Sequence, residues 1–495
     1  MSLTSKTVQG IGWSGTSEII CLLLRFGVTA ILARLLSPND FGILAMVFVF
    51  TNFVSIFRDF GLTAALIQRK ELTEEHLSSS FWINVLVGLF LSICMAASAP
   101  AISYFYAEVR LTLIVVILAS TFFISSFGIV QTSLFTKELK FKSLAIIEIL
   151  TVVISGTVAI ILAFAGLGVW SLVWQQIVFN ITVVILLWFF SKWRPKILFK
   201  WQPVKELLRF GLNLTGFRFV NYFSRNLDNL LIGKFLGSIP LGFYSLAYRL
   251  LLFPLGNISS VIGRVMFPSL SVIQDDKNKV SRNYIKATRY IAVVTFPIMI
   301  GLMVVAPEFI SVIFGPQWDR SIFLVQVLAL VGLVQSILAT VGWIYNSQGR
   351  VDIQLRWGIF ATGVLTAAFI IGLFWDLEGV VIAYAFAQAL LLYPALAIPF
   401  RLVHLRVTEF SKQFKSIFVA TMAMGITVFM LRFLLKTTLQ PNSLITLISM
   451  VIVGIISYAG FLFVLEKSLY WDAIKLLKQL KTLPASEAVY QENQD

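Results

Sequence analysis

The stretch Ala33-Arg34-Leu35-Leu36-Ser37-Pro38-Asn39-Asp40-Phe41-Gly42 is echoed 200 residues later by Gly233-Lys234-Phe235-Leu236-Gly237-Ser238-Ile239-Pro240-Leu241-Gly242. Basic falls on basic at Arg34 and Lys234, Leu36 on Leu236, Gly42 on Gly242, and the same offset sets Arg25 on Arg225. Further along, Gly168-Val169 matches Gly379-Val380. In an apolar chain aliphatic matches carry little information, but charged residues and glycines in register point to a duplicated unit.

That unit is a set of membrane helices. Of 495 residues 58% are hydrophobic and 13% charged, the mean hydropathy is +0.89, and apolar runs of about 20 residues recur. Polar breaks delimit fourteen expected spans, near 11–35, 42–67, 81–104, 111–135, 144–165, 168–190, 207–236, 241–272, 288–314, 321–346, 357–375, 379–400, 416–435 and 444–465. The fold expected is therefore an all-α polytopic membrane protein with two pseudo-symmetric six-helix lobes plus two C-terminal helices. Residues 1–200 form the N-lobe, 201–405 the C-lobe, and 406–467 the two added helices; 468–495 form a cytoplasmic amphipathic helix and a disordered tail. An even number of spans per copy makes the repeat parallel, with a substrate site between the halves.

Charge sets the orientation. Twenty-seven of the 39 lysines and arginines lie in one set of loops, and only Arg110, Arg320 and Lys436 lie in the alternate set. Basic loops stay in the cytoplasm, so both termini are placed there. The same rule accounts for the net charge of +15 without nucleic acid. Two cysteines and two histidines leave no disulfide framework or zinc spacing, and no nucleotide-binding or nucleophile-elbow motif is present. No catalytic centre, cofactor or metal is expected.

The remaining nine basic residues, Arg25, Arg34, Arg58, Arg218, Arg225, Lys234, Arg249, Arg264 and Arg432, fall inside apolar stretches. Each costs roughly 2.5–3.5 kcal/mol at mid-bilayer. Arg34 and Lys234 sit near span ends and can snorkel; Arg432 reads as structural. The others point to a hydrated cationic interior and an anionic passenger. In span 1, Ser14, Glu18, Arg25 and Thr29 share one stripe. In span 7, Arg218, Asn221, Arg225 and Asp228 follow a 3-4-3 spacing beside Tyr222. Span 2 adds Thr51, Asn52, Ser55, Arg58 and Asp59, and span 8 adds Tyr248, Arg249 and Asn257. Arg25, Arg225, Arg58, Arg249, Arg218, Asn221 and Tyr222 are the candidate substrate contacts. Glu18, Asp59 and Asp228 are candidates for proton or sodium coupling. The competing reading is that these charges pair internally.

The stretches 33–42, Arg58-Asp59-Phe60-Gly61-Leu62-Thr63-Ala64-Ala65-Leu66-Ile67-Gln68-Arg69-Lys70, Arg264-Val265-Met266-Phe267-Pro268, Gly301-Leu302-Met303-Val304-Val305 and Phe314-Gly315-Pro316-Gln317-Trp318 resemble lipopolysaccharide and exopolysaccharide exporters. The resemblance is to the colanic-acid-exporter type within the multidrug/oligosaccharidyl-lipid/polysaccharide superfamily, and it covers residues 1–465. It implies a two-lobed, MATE-like bundle in a bacterial inner membrane. It also implies transfer of an undecaprenyl-diphosphate-linked oligosaccharide to the outer leaflet by alternating access through a cationic cavity. Membrane lipids and a polysaccharide polymerase or export machinery are the implied partners. A peptidoglycan lipid II flippase and a multidrug or cation exporter are the alternatives of the same fold; the latter calls for an acidic cavity. A membrane glycosyltransferase needs a carboxylate or histidine centre and a loop domain that the short outer loops do not provide.

Overall fold

The computed structural model describes residues 3–58, 62–69, 72–201, 222, 226–439, 442–467 and 471. Among these every regular element is helical. Among the described residues ten helical stretches are long and apolar enough to cross a membrane, with 351–401 counted as one, or eleven if a bent pair is one span.

Helix starts are written locally. Helix α1 (Leu3–Leu35) ends before Ser37, which caps α2 (Pro38–Ser55) through a capping box with Asp40, with Pro38 in the first turn. After α3 (Leu62–Gln68), Thr73 and His76 form the box that opens α4 (Glu74–Tyr106). The expected span 111–135 is a pair, α5 (Arg110–Ser126) and α6 (Ile129–Lys137), bent by 44°. Then come α7 (Phe141–Phe164) and α8 (Val169–Phe190).

The described residues up to Gly242 pack as one compact unit, and a second begins at Phe243. In the first unit α4 packs on α5, α7 on α1 and α8, and α2 on α5 and α8. Residues 191–200 run along the start of α4. There the backbone amides of Lys196 and Lys200 donate to the Ser78 and Ser79 hydroxyls at 3.1 and 2.9 Å, and Trp82 Nε1 donates to the Lys196 carbonyl at 2.9 Å. The boundary at 200/201 expected from the repeat adjoins residues 202–221, outside the described residues, as do most of the expected span 207–236 and nearly all of the tail 468–495.

Helix α9 (Ser238–Val272) starts in the first unit. Its first turn meets that of α2 in a reciprocal contact. A Cβ on Gly42 would overlap the Ser238 carbonyl, and a Cβ on Gly242 would overlap the Pro38 carbonyl. The Ser238 hydroxyl bonds Asn39 Oδ1 at 2.5 Å. Residue 42 touches 238 as 242 touches 38, which is what a two-fold relation between the quoted stretches requires.

The second unit continues with α10 (Lys277–Ile313), α11 (Arg320–Leu338), the short α12 (Val341–Ser347), α13 (Val351–Gly372), α14 (Asp376–Arg401), the short α15 (Val407–Lys412), α16 (Lys415–Leu434) and α17 (Ser443–Leu465). Helices α13 and α14 fold back on each other where Gly372 and Gly379 come into backbone contact. Arg320 fastens the start of α11 to that of α14, reaching Asp376 at 2.6 Å and Glu378 at 2.9 Å. At the opposite ends Tyr284, Phe400, Phe410 and Phe414 form an aromatic cluster, with Phe410–Phe414 centroids 4.6 Å apart.

Gly42→Ala and Gly242→Ala force backbone apart and are expected to destabilise by about 1–3 kcal/mol. Gly363→Ala, which meets nothing within 4 Å, stays within about 0.5 kcal/mol. Thermal unfolding of the purified protein in detergent checks the contrast.

Candidate functional site

Helix α1 carries two exposed faces of opposite character. Ile20, Leu23 and Ile31 are exposed on one side, suited to acyl chains. Glu18 and Arg25 are exposed on the other side, with half-buried Thr29 beside them. Seven residues place Arg25 within about 20° of Glu18 around the helix. Between these faces Ser17, Cys21 and Leu32 are buried, and Val28 packs against Gly156 of α7. The expected polar stripe is thus real and open, although the side chain of Ser14 lies outside the described residues.

Arg25 is ion-paired. Its Nη2 donates to Glu148 Oε1 on α7 at 2.8 Å, with the two side chains 54% and 43% exposed. The pair is open to solvent on its outer side, and a guanidinium has five N–H donors. One is engaged with Glu148, so the remainder are available to an anion.

Arg249 lies midway along the apolar first half of α9 and is exposed, with Leu246 and Leu250 buried beneath it. Its guanidinium makes no hydrogen bond or ion pair among the described residues. An arginine in that position has no stable place in hydrocarbon, so it faces water or a polar ligand.

One expected substrate contact, Tyr222, and one expected coupling group, Asp228, are held by the protein itself. The Tyr222 hydroxyl donates to the Val49 carbonyl, and its ring packs on Phe53 at 5.7 Å between centroids. Asp228 is buried, and its Oδ1 accepts from the Asn229 amide at 2.8 Å and from Asn229 Nδ2 at 3.3 Å. Arg218, Asn221, Arg225 and Asp59 lie outside the described residues, as do the side chains of Asn257 and Arg264. Arg58 is exposed at the end of α2.

Cations read as structural or snorkelling are anchored. Lys234 donates to the Phe105 carbonyl and sits 4.8 Å over the Phe105 ring. Arg432 and Lys436 share Glu308, at 2.9 and 2.8 Å, with the carboxylate side chain only 4% exposed. Glu308 was hidden in the sequence because it lies inside an otherwise apolar span. It is a further acid within the spans, beside Glu18, Asp59, Glu148 and Asp228.

The sequence reading also missed half of a polar cavity of about 130 Å³. Thr51, Asn52, Ser55 and Arg58 come from α2 and its end, as expected, but Thr121 and Ser125 of α5 and Gln176 and Asn180 of α8 join them. The signal was there: each added pair has i, i+4 spacing, one helix face in an apolar run.

Charged and polar faces on helices of membrane-spanning length define a multi-pass membrane protein built to hold a polar solute. The family described as "Polysaccharide biosynthesis protein" matches residues 31–323, more than half of the chain, and the chain belongs to this family. Teichuronic acid biosynthesis protein TuaB of Bacillus subtilis (strain 168) is 30% identical over 358 residues, 72% of this chain and 74% of the relative. Lipopolysaccharide biosynthesis protein WzxC of Escherichia coli (strain K12) is 30% identical over 374 residues, 75% of this chain and 76% of the relative. Succinoglycan biosynthesis transport protein ExoT of Rhizobium meliloti (strain 1021) is 28% identical and covers 68% of each chain. Among solved structures, lipid II flippase MurJ in an inward closed conformation aligns with a TM-score of 0.72 at 15% identity, over 93% of this chain and 99% of its own. An inward-facing MATE family transporter of the MOP superfamily aligns at 0.60 and 16% identity, over 79% and 95%. The fold is therefore of the MATE-like kind.

Glu308→Ala leaves Arg432, 20% exposed, without its carboxylate and is expected to destabilise by about 1–3 kcal/mol. Glu148→Ala, at an exposed pair, costs about 1 kcal/mol or less. Unfolding temperatures of both variants against the wild type test the ranking.

Proposed function

We propose that this protein moves an undecaprenyl-diphosphate-linked oligosaccharide from the cytoplasmic to the outer leaflet of a bacterial inner membrane by alternating access, for surface polysaccharide biosynthesis. Family membership supports the cargo class, and the relatives named for teichuronic acid, lipopolysaccharide and succinoglycan share an anionic lipid carrier on this reading. The observation that carries it is Arg249, exposed on an apolar helix with no carboxylate partner among the described residues. A drug or cation exporter would have no use for it. The process needs no covalent chemistry from the protein.

In this reading Arg25 and Arg225 stabilise the diphosphate, and Arg58, Arg218 and Arg249 add to the positive potential it meets on entering. Unit charges about 5 Å apart at an effective dielectric near 20 interact by about 3 kcal/mol, enough to offset part of the head group's dehydration. Arg25 would exchange some of its contact with Glu148 for phosphate oxygens. Asn221 and Tyr222 contribute polar contacts, while Glu18, Asp59 and Asp228 are the groups through which proton or sodium movement would be coupled. Both termini lie in the cytoplasm, and a polysaccharide polymerase receives the cargo outside.

Deleting the gene is expected to abolish one surface polysaccharide and to accumulate its lipid-linked precursor. Arg249→Gln, at matched protein level and unchanged unfolding temperature, is expected to lower export at least about tenfold, the equivalent of ~1.4 kcal/mol. Wild-type export by this variant would remove Arg249 from the mechanism.

A further inference from the structure

The cavity among α2, α5 and α8 has a chemistry that a diphosphate does not use. The hydroxyls of Thr51, Ser55, Thr121 and Ser125 each donate their one proton to a carbonyl of their own helix, at 3.2, 2.6, 2.6 and 3.3 Å. What they retain for a ligand is lone pairs. Asn180 donates through Nδ2 to the Gln176 carbonyl at 2.8 Å, which leaves its Oδ1 as a further acceptor. The side-chain amides of Asn52 and Gln176 make no hydrogen bond among the described residues. Each therefore offers a whole amide, donor and acceptor together. Phe48, Leu118 and Phe122 add apolar, largely aromatic surface, and among the described residues no carboxylate takes part.

This donor and acceptor pattern selects among ligands. A cation would be held by neutral oxygens alone, with Arg58 in the same lining. A phosphate would meet more lone pairs than cations. An apolar molecule would leave two amides unsatisfied. A sugar ring supplies hydroxyl protons to the acceptors, ring and hydroxyl oxygens to the amide N–H groups, and a C–H face to the phenyl rings.

We infer that this cavity is a carbohydrate subsite that takes one neutral sugar ring of the cargo; the inference rests on the flippase reading above. It divides recognition into a cationic part for the carrier and a neutral part for the glycan.

The test uses the full-length protein in lipid nanodiscs with two probes. One is undecaprenyl diphosphate. The other is the undecaprenyl-diphosphate oligosaccharide extracted from the native host deleted for this gene. Wild type is expected to bind the glycosylated probe at least about tenfold more tightly than the bare one, the contribution of one or two well-made hydrogen bonds. The double substitution Asn52→Leu with Gln176→Leu removes no hydrogen bond within the protein. It is expected to reduce that ratio to about threefold or less, while affinity for the bare probe moves less than about twofold. Thr121→Val, nearly isosteric, is expected to reduce the ratio by about two- to fivefold and decides the matter if the double variant fails to fold. An unchanged ratio in the folded variants, or equal binding of the two probes by wild type, overturns the subsite and leaves the flippase reading standing. Failure of wild type to bind either probe overturns the flippase reading, and the subsite with it.

Discussion

Hydrocarbon accepts a charge on one of two terms: it is neutralised by a partner or it is kept wet. This chain uses both, and the distinction organises its helices. Arg432 and Lys436 both close on the nearly dry Glu308 carboxylate, which joins α10 to the end of α16. Such a cluster holds two helices in register, because moving either one exposes an unpaired charge. Arg25 and Glu148 tie α1 to α7 just as directly, yet both side chains are about half exposed. That pair tolerates exchange of partners in a way the Glu308 cluster does not. Arg249 completes the series as a cation whose environment is solvent or ligand.

The same constraint acts at the membrane faces. All three basic residues in the sparsely charged loops have a carboxylate: Arg110 is bonded to Glu108, Arg320 to Asp376 and Glu378, and Lys436 to Glu308. The Arg110 guanidinium also holds the Glu108 carboxyl below the usual carboxylate range. Where backbone rather than charge must come close, glycine permits it, as at Gly42 against Ser238 and Gly242 against Pro38.

Much of this was legible in one dimension. Hydropathy exposes the spans because backbone groups in lipid must be satisfied within a helix. Arg25 and Glu18 share a face because seven residues are nearly two turns. The 33–42 and 233–242 repeat showed itself because its glycines and charges are rare in such sequence. Glu308 and the polar cavity were not legible. A single acid in an apolar span carries no mark of its partner, and Gln176, Asn180, Thr121 and Ser125 gain meaning only when α2, α5 and α8 converge.

The sequence by itself determined the class of protein, its all-helical character, its matching stretches and the family to which it belongs, because the bilayer imposes composition and periodicity residue by residue. Tertiary structure alone decided which charges are spoken for. Arg25, Arg249 and Arg432 look alike in the sequence, each a cation in an apolar run. They differ in what a neighbouring helix brings within about 3 Å, and that is a property of packing, since electrostatic energy in a medium of low polarity depends on distance to partner and water.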